Sequence, residues 1–412
     1  MAKKTVADID VQGKKVLIRC DFNVPLDADK NITDDARITK ALPTIKAVLD
    51  NGGSVILMSH LGRPKGEVNL DYSLAPVAKR LSELLERDVI FPGDCIGEAV
   101  ESAAAALKSG DVMLLENLRF HQAEIIKDKA AKDDAALRRA KDEFAKKIAD
   151  LADVYVCDAF GTAHRDNASM LTVPQQMAGK PRVAGFLIEK EIQFLGDTIE
   201  NGEKPFVAIL GGAKVSDKLQ VIENLMEKVN TIIIGGGMSF TFAKAKGEKI
   251  GNSLCEDDFV EKAGELLKRA ESGKCEILLP VDTIVATEFK ADAENKVVEG
   301  DIEDGWMGLD IGPKTAAIFA DKIRQAKTVV WNGPMGVFEM EAFAGGTKTV
   351  ANALAEATAA GARTVIGGGD SASAIKVLGL EDQVSHVSTG GGASLEMMEG
   401  KKFACLAILE DK

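Results

Sequence analysis

Three short segments of this chain set cations beside histidine after an apolar run. Ser59-His60-Leu61-Gly62-Arg63-Pro64-Lys65-Gly66 is one, Asn117-Leu118-Arg119-Phe120-His121 the second and Gly161-Thr162-Ala163-His164-Arg165 the third, so three of the four histidines lie within three residues of an arginine. Arg19-Cys20-Asp21-Phe22-Asn23 adds polar groups after a fourth run, and Arg37 follows soon after. The planar guanidinium fork grips phosphate or carboxylate through two parallel hydrogen bonds, which a lysine point charge does not reproduce. Any one of these side chains alone reads as a solvated cation or an ion-pair member. Four repeats at strand ends point instead to a site for a small polyanion. The same histidines could serve as zinc ligands, or as a general base with Asp158 or Asp166, but their spacing supports neither.

A second group of segments is rich in glycine. Gly211-Gly212-Ala213-Lys214-Val215-Ser216-Asp217-Lys218 leads from an apolar run into a helical pattern, so backbone N–H groups and a helix start can face a phosphate while lysines neutralise it. It lacks the glycine spacing of a Walker A loop. Gly235-Gly236-Gly237, Gly367-Gly368-Gly369-Asp370-Ser371 and Gly390-Gly391-Gly392 close three further runs. One glycine triplet is an ordinary tight turn; three triplets with the Gly211-Gly212 turn argue for a nucleotide cradle, with Asp370 a hard-oxygen candidate for magnesium. Gly367-x-Gly369-x-x-Ala372 fits a loose dinucleotide fingerprint, but no acidic residue lies about 20 positions on, which disfavours a dehydrogenase. Trp331 to Glu339 supplies apolar walls, and Glu339 a group able to accept ribose hydroxyls.

These residues must be positioned by elements that alternate between short β-branched runs and longer stretches of helical period, the pattern of βαβ units and parallel sheets. The expected fold class is α/β, with two doubly wound parallel-sheet (Rossmann-like) domains. Strands are expected at KKVLIRCDF, GSVILMSH, DVI, DVMLLENLRF, DVYVCDAF and PRVAGFLI, then at KPFVAILGG, NTIIIGGG, CEILLPVD, KTVVWNGP, ARTVIGGG and VSHVSTGGG. Amphipathic helices are expected over Leu74 to Arg87, Ala135 to Asp153, Asp258 to Ala270 and Lys314 to Lys327. Gly185 to Leu195 reads as an inter-domain helix, giving domains at 1–186 and 200–395 with a connection over 187–199. The stretch Glu124 to Asp142 reads as a solvated helix. First-half strands run out into basic residues and second-half strands into glycines, so the halves hold different ligands beyond their carboxyl ends.

Composition narrows the partners. A net charge of −13 opposes non-specific attraction to nucleic acid or anionic lipid, so anion sites must be local basic clusters. No signal-peptide pattern opens the chain and no run of 18 uninterrupted apolar residues occurs, which suggests a cytoplasmic protein. The six cysteines form no C-x-x-C pair and are expected to be free, buried thiols.

RCDFNVP at Arg19 to Pro25, SHLGRPKG at Ser59 to Gly66, DAFGTAHR at Asp158 to Arg165, ILGGAKVSDK at Ile209 to Lys218, WNGPMGVFE at Trp331 to Glu339 and STGGGASLE at Ser388 to Glu396 together resemble the phosphoglycerate kinase family, in family order and across essentially the whole chain. The resemblance implies a hinge-bending monomer that transfers a phosphoryl group between 1,3-bisphosphoglycerate and ADP, with magnesium; a non-catalytic nucleotide-binding scaffold is the alternative. It implies that Asp21, Asn23, Arg37, His60, Arg63, Arg119 and Arg165 hold the phosphoglycerate. Lys214, Lys218, Gly236, Gly237, Gly308, Asn332, Glu339, Gly368, Gly369, Asp370 and Ser371 would hold the nucleotide and its metal, Asp370 being the metal ligand. Arg37, Lys214, Gly368 and Gly391 would be catalytic, and residues 396–412 would return to the first domain. Departures are small: Cys20 and Cys157 stand where valine and asparagine are expected, and Ser371 where threonine is.

Overall fold

The computed structural model describes residues 2–412. The first half builds a six-stranded sheet from Lys15–Cys20 (β1), Ser54–Met58 (β2), Val89–Ile90 (β3), Val112–Leu114 (β4), Val154–Asp158 (β5) and Arg182–Ala184 (β6). Its order is β3-β4-β2-β1-β5-β6 and every pair is parallel. The central strands are apolar without alternation, since helices cover both faces: Val16, Leu17, Ile18, Val55, Ile56, Leu57 and Met58 are all fully buried. Helix Ala75–Leu85 carries Pro76 in its first turn, where no N–H partner is lost, and buries Val77, Ala78, Leu81 and Leu85.

The second half builds Phe206–Leu210 (β7), Thr231–Ile234 (β8), Glu276–Leu278 (β9), Asp282–Ala286 (β10), Asn295–Glu299 (β11), Met307–Ile311 (β12), Thr328–Asn332 (β13), Arg363–Gly367 (β14) and His386–Val387 (β15). Six of these form a parallel sheet of order β15-β14-β13-β7-β8-β9. Its order reverses between β7 and β13, the kind of switch point beyond which open α/β sheets bind ligands. The remaining three form an antiparallel sheet, β11-β10-β12, absent from the sequence expectations. CEILLPVD reads as one strand but breaks around Pro280 into the whole of β9 and the first residue of β10, while β11 is largely solvent-facing and shows no apolar run.

The chain forms two compact units. One runs to Ile192 and takes in Lys402–Lys412; the other spans Gln193–Lys401. In the first, the chain's end is tied beside its start: Lys4 N donates to Glu410 O (2.9 Å), Glu410 N to Arg182 O (2.9 Å) and Ala184 N to Lys4 O (2.8 Å).

Several local expectations need correction. PRVAGFLI is strand only through Ala184, because Phe186–Glu191 is already helical; a π-helical turn, Ile192–Gly196, and helix Asp197–Asn201 follow. Glu124 to Asp142 is three separate helical pieces, and Glu124 and Lys141 are buried, Lys141 by pairing with Asp128 at 2.6 Å. All six thiols are free, yet Cys255 is only half-buried.

Asp158, at the end of β5, anchors the start of helix Phe186–Glu191. Its Oδ1 accepts from Leu187 N (2.9 Å) and Ile188 N (3.3 Å), and Thr44 Oγ1 accepts from Phe186 N (2.9 Å). Its Oδ2 is buried with no hydrogen-bond partner among the described residues. Burial therefore pushes the carboxyl up to about 7, against the opposing pull of bonds from Thr44, Ile188 and Leu187. A folded-state value above the unfolded one means the native protein holds the extra proton between about pH 4 and 7, so this group's contribution is full below that window and lost as pH rises through 7. Measured by urea unfolding, Asp158→Asn should gain on wild type by about 1–3 kcal/mol more at pH 8 than at pH 5. A mutant-minus-wild-type difference independent of pH would contradict this.

Candidate active site

In the first unit the basic residues converge through backbone geometry. Asn117 follows β4 and ties its own turn to the loop after β2: Nδ2 donates to Leu61 O (2.7 Å) and Tyr72 O (2.8 Å), and Oδ1 accepts from Leu61 N (3.2 Å) and Arg119 N (3.1 Å). Glu116 in turn accepts from Asn117 N (2.7 Å), Leu74 N (2.8 Å) and Ser73 Oγ (2.6 Å). Asn23 Oδ1 accepts from Gly62 N (2.8 Å), and Arg119 Nη1 donates to Gly62 O (2.7 Å), so the loops after β1, β2 and β4 are laced into one rim.

Arg37 pairs with Asp21 at 2.6 Å while keeping 42% of its side chain exposed. Arg165 is half-buried, with its Nε bonded to His164 Nε2 at 3.2 Å, and Arg63 is exposed on the loop. His60 is buried, and its imidazole is driven well below its ordinary range by burial first, then by Arg19, Arg119, Arg165 and Arg37. Burial also pushes the Arg119 guanidinium down to about 10, with Arg165 and Arg19 adding to the effect. Like charges crowded until even an arginine is perturbed are arranged for an anion.

In the second unit a cavity of about 510 Å³ is lined by Gly236, Gly237, Gly308, Glu339 and Asp370, together with the apolar Phe240, Leu254, Met307, Pro334 and Val337. Gly236 must be glycine: its φ is +66°, and a Cβ there would lie 2.6 Å from Gly212 N and 2.9 Å from Pro334 O. Three loop backbones thus meet at the β7/β13 switch point. Gly308 packs against Phe240 so closely that a Cβ would fall 2.1 Å from its ring.

The remaining candidates sit on neighbouring loops. Lys214 is exposed. Lys218 Nζ contacts Asn332 Oδ1, and burial lowers its ammonium to about 8. Asn332 Nδ2 is buried without a hydrogen-bond partner among the described residues and lies against Gly368, where a Cβ would be 3.0 Å away. Gly368 (φ +93°) caps helix Gly369–Val377, placing Asp370 in its first turn, exposed. The Ser371 side chain is fully buried and accepts from Gly333 N at 2.6 Å, so its hydroxyl holds the Trp331–Gly333 turn. Gly391 opens the short helix Gly392–Met398.

The family model for phosphoglycerate kinase matches residues 6–401. The chain belongs to the phosphoglycerate kinase family. Among its relatives, the phosphoglycerate kinase of Chlorobium limicola is 54% identical over 412 residues, covering all of both chains, and that of Clostridium perfringens is 55% identical over all of this chain and 99% of its own. The solved structure of phosphoglycerate kinase from Coxiella burnetii aligns with a TM-score of 0.87 at 39% identity, over 98% of each chain. That from Pyrococcus horikoshii aligns at 0.80 and 33%, again over 98% of each. The chain is therefore a glycolytic kinase that transfers phosphate to and from the carboxyl group of 3-phosphoglycerate.

Sequence reasoning missed the groups that hold the site together. Asn117 follows Glu116 directly and reads as part of an ordinary strand end, although an Asn before Arg119 is a recognisable side-chain cap. Glu256, which fixes the Lys214 loop by accepting from Ser216 N (2.9 Å) and Oγ (2.7 Å), is 40 residues away and gives no local signal. Because Asn117→Ala strands four buried or half-buried backbone groups, it should cost about 2–4 kcal/mol in urea unfolding. A loss under about 0.5 kcal/mol, the range of an ordinary surface change, would contradict the clamp.

Proposed function

We propose that Asp21, Asn23, Arg37, His60, Arg63, Arg119 and Arg165 bind the phosphoglycerate and that the glycine loops of the second unit bind ADP or ATP. The observation that carries this reading is the crowding of Arg119, Arg165 and Arg19 about a neutral His60, positive charge concentrated in a protein of net charge −13. On the nucleotide side, the apolar walls of the 510 Å³ cavity suit a base, Glu339 suits ribose hydroxyls, and Lys214, Lys218 and the loop at Gly368, Gly369 and Ser371 suit phosphates. Asp370, an exposed carboxylate on the cavity wall, fits Mg²⁺, which usually takes one or two carboxylates beside substrate phosphates and would neutralise their charge.

The reaction needs no enzymic nucleophile, because both reactants are activated and charge repulsion is the obstacle. Arg37 and Lys214 are the groups we assign to the equatorial oxygens of the transferring phosphoryl, with backbone N–H groups at Gly368 and Gly391 assisting. Arg37 is suited to this role because its pair with Asp21 is part-exposed, and such pairs are worth only about 0–1 kcal/mol, so releasing the guanidinium to a substrate costs little. We further infer a cytoplasmic monomer acting on small molecules, consistent with a net negative charge that repels nucleic acid and with no helix in the described residues long and apolar enough to cross a membrane.

Arg37→Ala should bind nucleotide as wild type yet lose about 10²–10³-fold in kcat with 3-phosphoglycerate and Mg-ATP, read through coupled NADH oxidation by glyceraldehyde-3-phosphate dehydrogenase. Near-normal turnover would refute the role; absence of wild-type activity with nucleotide still bound would favour a scaffold.

A further inference from the structure

A fully buried carboxylate in the first unit has no part in the reaction described above. Glu124 is 0% exposed, and its two oxygens accept from Ser169 N (2.8 Å) and Ser169 Oγ (2.7 Å). With its hydrogen committed to Glu124, Ser169 Oγ has lone pairs left and accepts from Arg19 Nε at 2.9 Å. Arg19 is itself 1% exposed, its Nη1 bonds to Cys20 O, and its Nη2 lies 3.2 Å from His60 Nδ1.

The last contact fixes a proton. A guanidinium can only donate, so His60 Nδ1 must be the bare nitrogen and the ring proton must sit on Nε2. A second proton at Nδ1 would face the Arg19 donor head-on. The groups facing the ring from other elements reinforce this: Arg119 after β4, Arg165 after β5 and Arg37 in helix Ala36–Asp50 are all cationic. The chain Glu124, Ser169, Arg19, His60 spans four separate segments and contains no water-exposed member.

We propose that Glu124, acting through Ser169 and Arg19, is a positioning residue that holds His60 as a neutral Nε2–H donor facing the acidic substrate. This deepens the assignment of His60 to phosphoglycerate binding and rests on it. The buried negative charge balances Arg19, which would otherwise be an uncompensated buried cation, and the fixed orientation keeps a hydrogen-bond donor available without a protonation step. An imidazolium would also offer a donor, but only below its titration point. The neutral tautomer offers one across the physiological range, so binding does not depend on the ionisation of His60.

The test compares wild type, Ser169→Ala and Ser169→Thr. The alanine variant removes the hydroxyl from the chain while adding no volume; the threonine variant restores it. Ring-¹⁵N-labelled histidine spectra report the tautomer of each of the four histidines, with His60 assigned from His60→Gln. Wild type and Ser169→Thr should show His60 as Nε2–H with no titration between pH 5 and 8. Ser169→Ala should show a mixed tautomer or a ring that titrates in that range, with the KM for 3-phosphoglycerate raised roughly 5- to 30-fold and the KM for ATP unchanged. The unchanged ATP parameter separates this from general misfolding. A wild-type His60 protonated at Nδ1, or a tautomer unaltered by Ser169→Ala, overturns the positioning chain and leaves the substrate assignment standing. A tautomer that changes while the KM for 3-phosphoglycerate does not overturns the assignment of His60 to substrate, and the positioning role with it.

Discussion

Like charges do not gather at strand ends unless the surrounding structure holds them there. Arg19, Arg119 and Arg165 repel one another, and burial weakens the water screening that would relieve them. What offsets this is a set of fixed acceptors: Gly62 O for Arg119, Cys20 O and Ser169 Oγ for Arg19, and behind Ser169 the buried Glu124. The parallel sheet makes the set possible, because β1, β2, β4 and β5 all release their loops on the same side. Asn117 and Glu116 then lace the loops after β2 and β4 together. The cost of crowding is met within the fold, which leaves the exposed fraction of the charge free to act on an anion.

The second unit solves the opposite problem. A nucleotide's phosphates must approach the backbone closely, so the loops at the β7/β13 switch point are stripped of side chains, and Gly236 is confined by the backbones of Gly212 and Pro334. Rigidity comes from elsewhere: the Ser371 hydroxyl on Gly333 N and Glu256 on Ser216. The two units share a sheet plan yet differ in what their strand ends carry, cations in one and bare backbone in the other.

That contrast was legible in the sequence because it is local. Each Arg or Gly motif lies at or within a few residues of its strand's end, and central strands such as Ser54–Met58 and Thr231–Ile234 announce themselves as unbroken apolar runs. What was not legible is non-local or solvent-facing. The strand Asn295–Glu299 hides because its side chains face water, and Asp282–Ala286 because Pro280 sits inside an apolar run. Glu124 looks like one acid among many in a charged stretch, and only Ser169, 45 residues on, explains its burial. Ser371, which the resemblance assigns to the nucleotide, also accepts from Gly333 N, a partner 38 residues away that its glycine loop does not announce. Partners tens of residues away leave no periodicity to read.

The direct test of the charge-concentration account is calorimetric titration of 3-phosphoglycerate into the protein without nucleotide, at low and high salt, beside glycerate, which lacks the phosphate. The account predicts one-to-one binding that weakens steeply as salt rises and is lost with glycerate. Binding of glycerate as tight as that of 3-phosphoglycerate, or an affinity indifferent to salt, would contradict it.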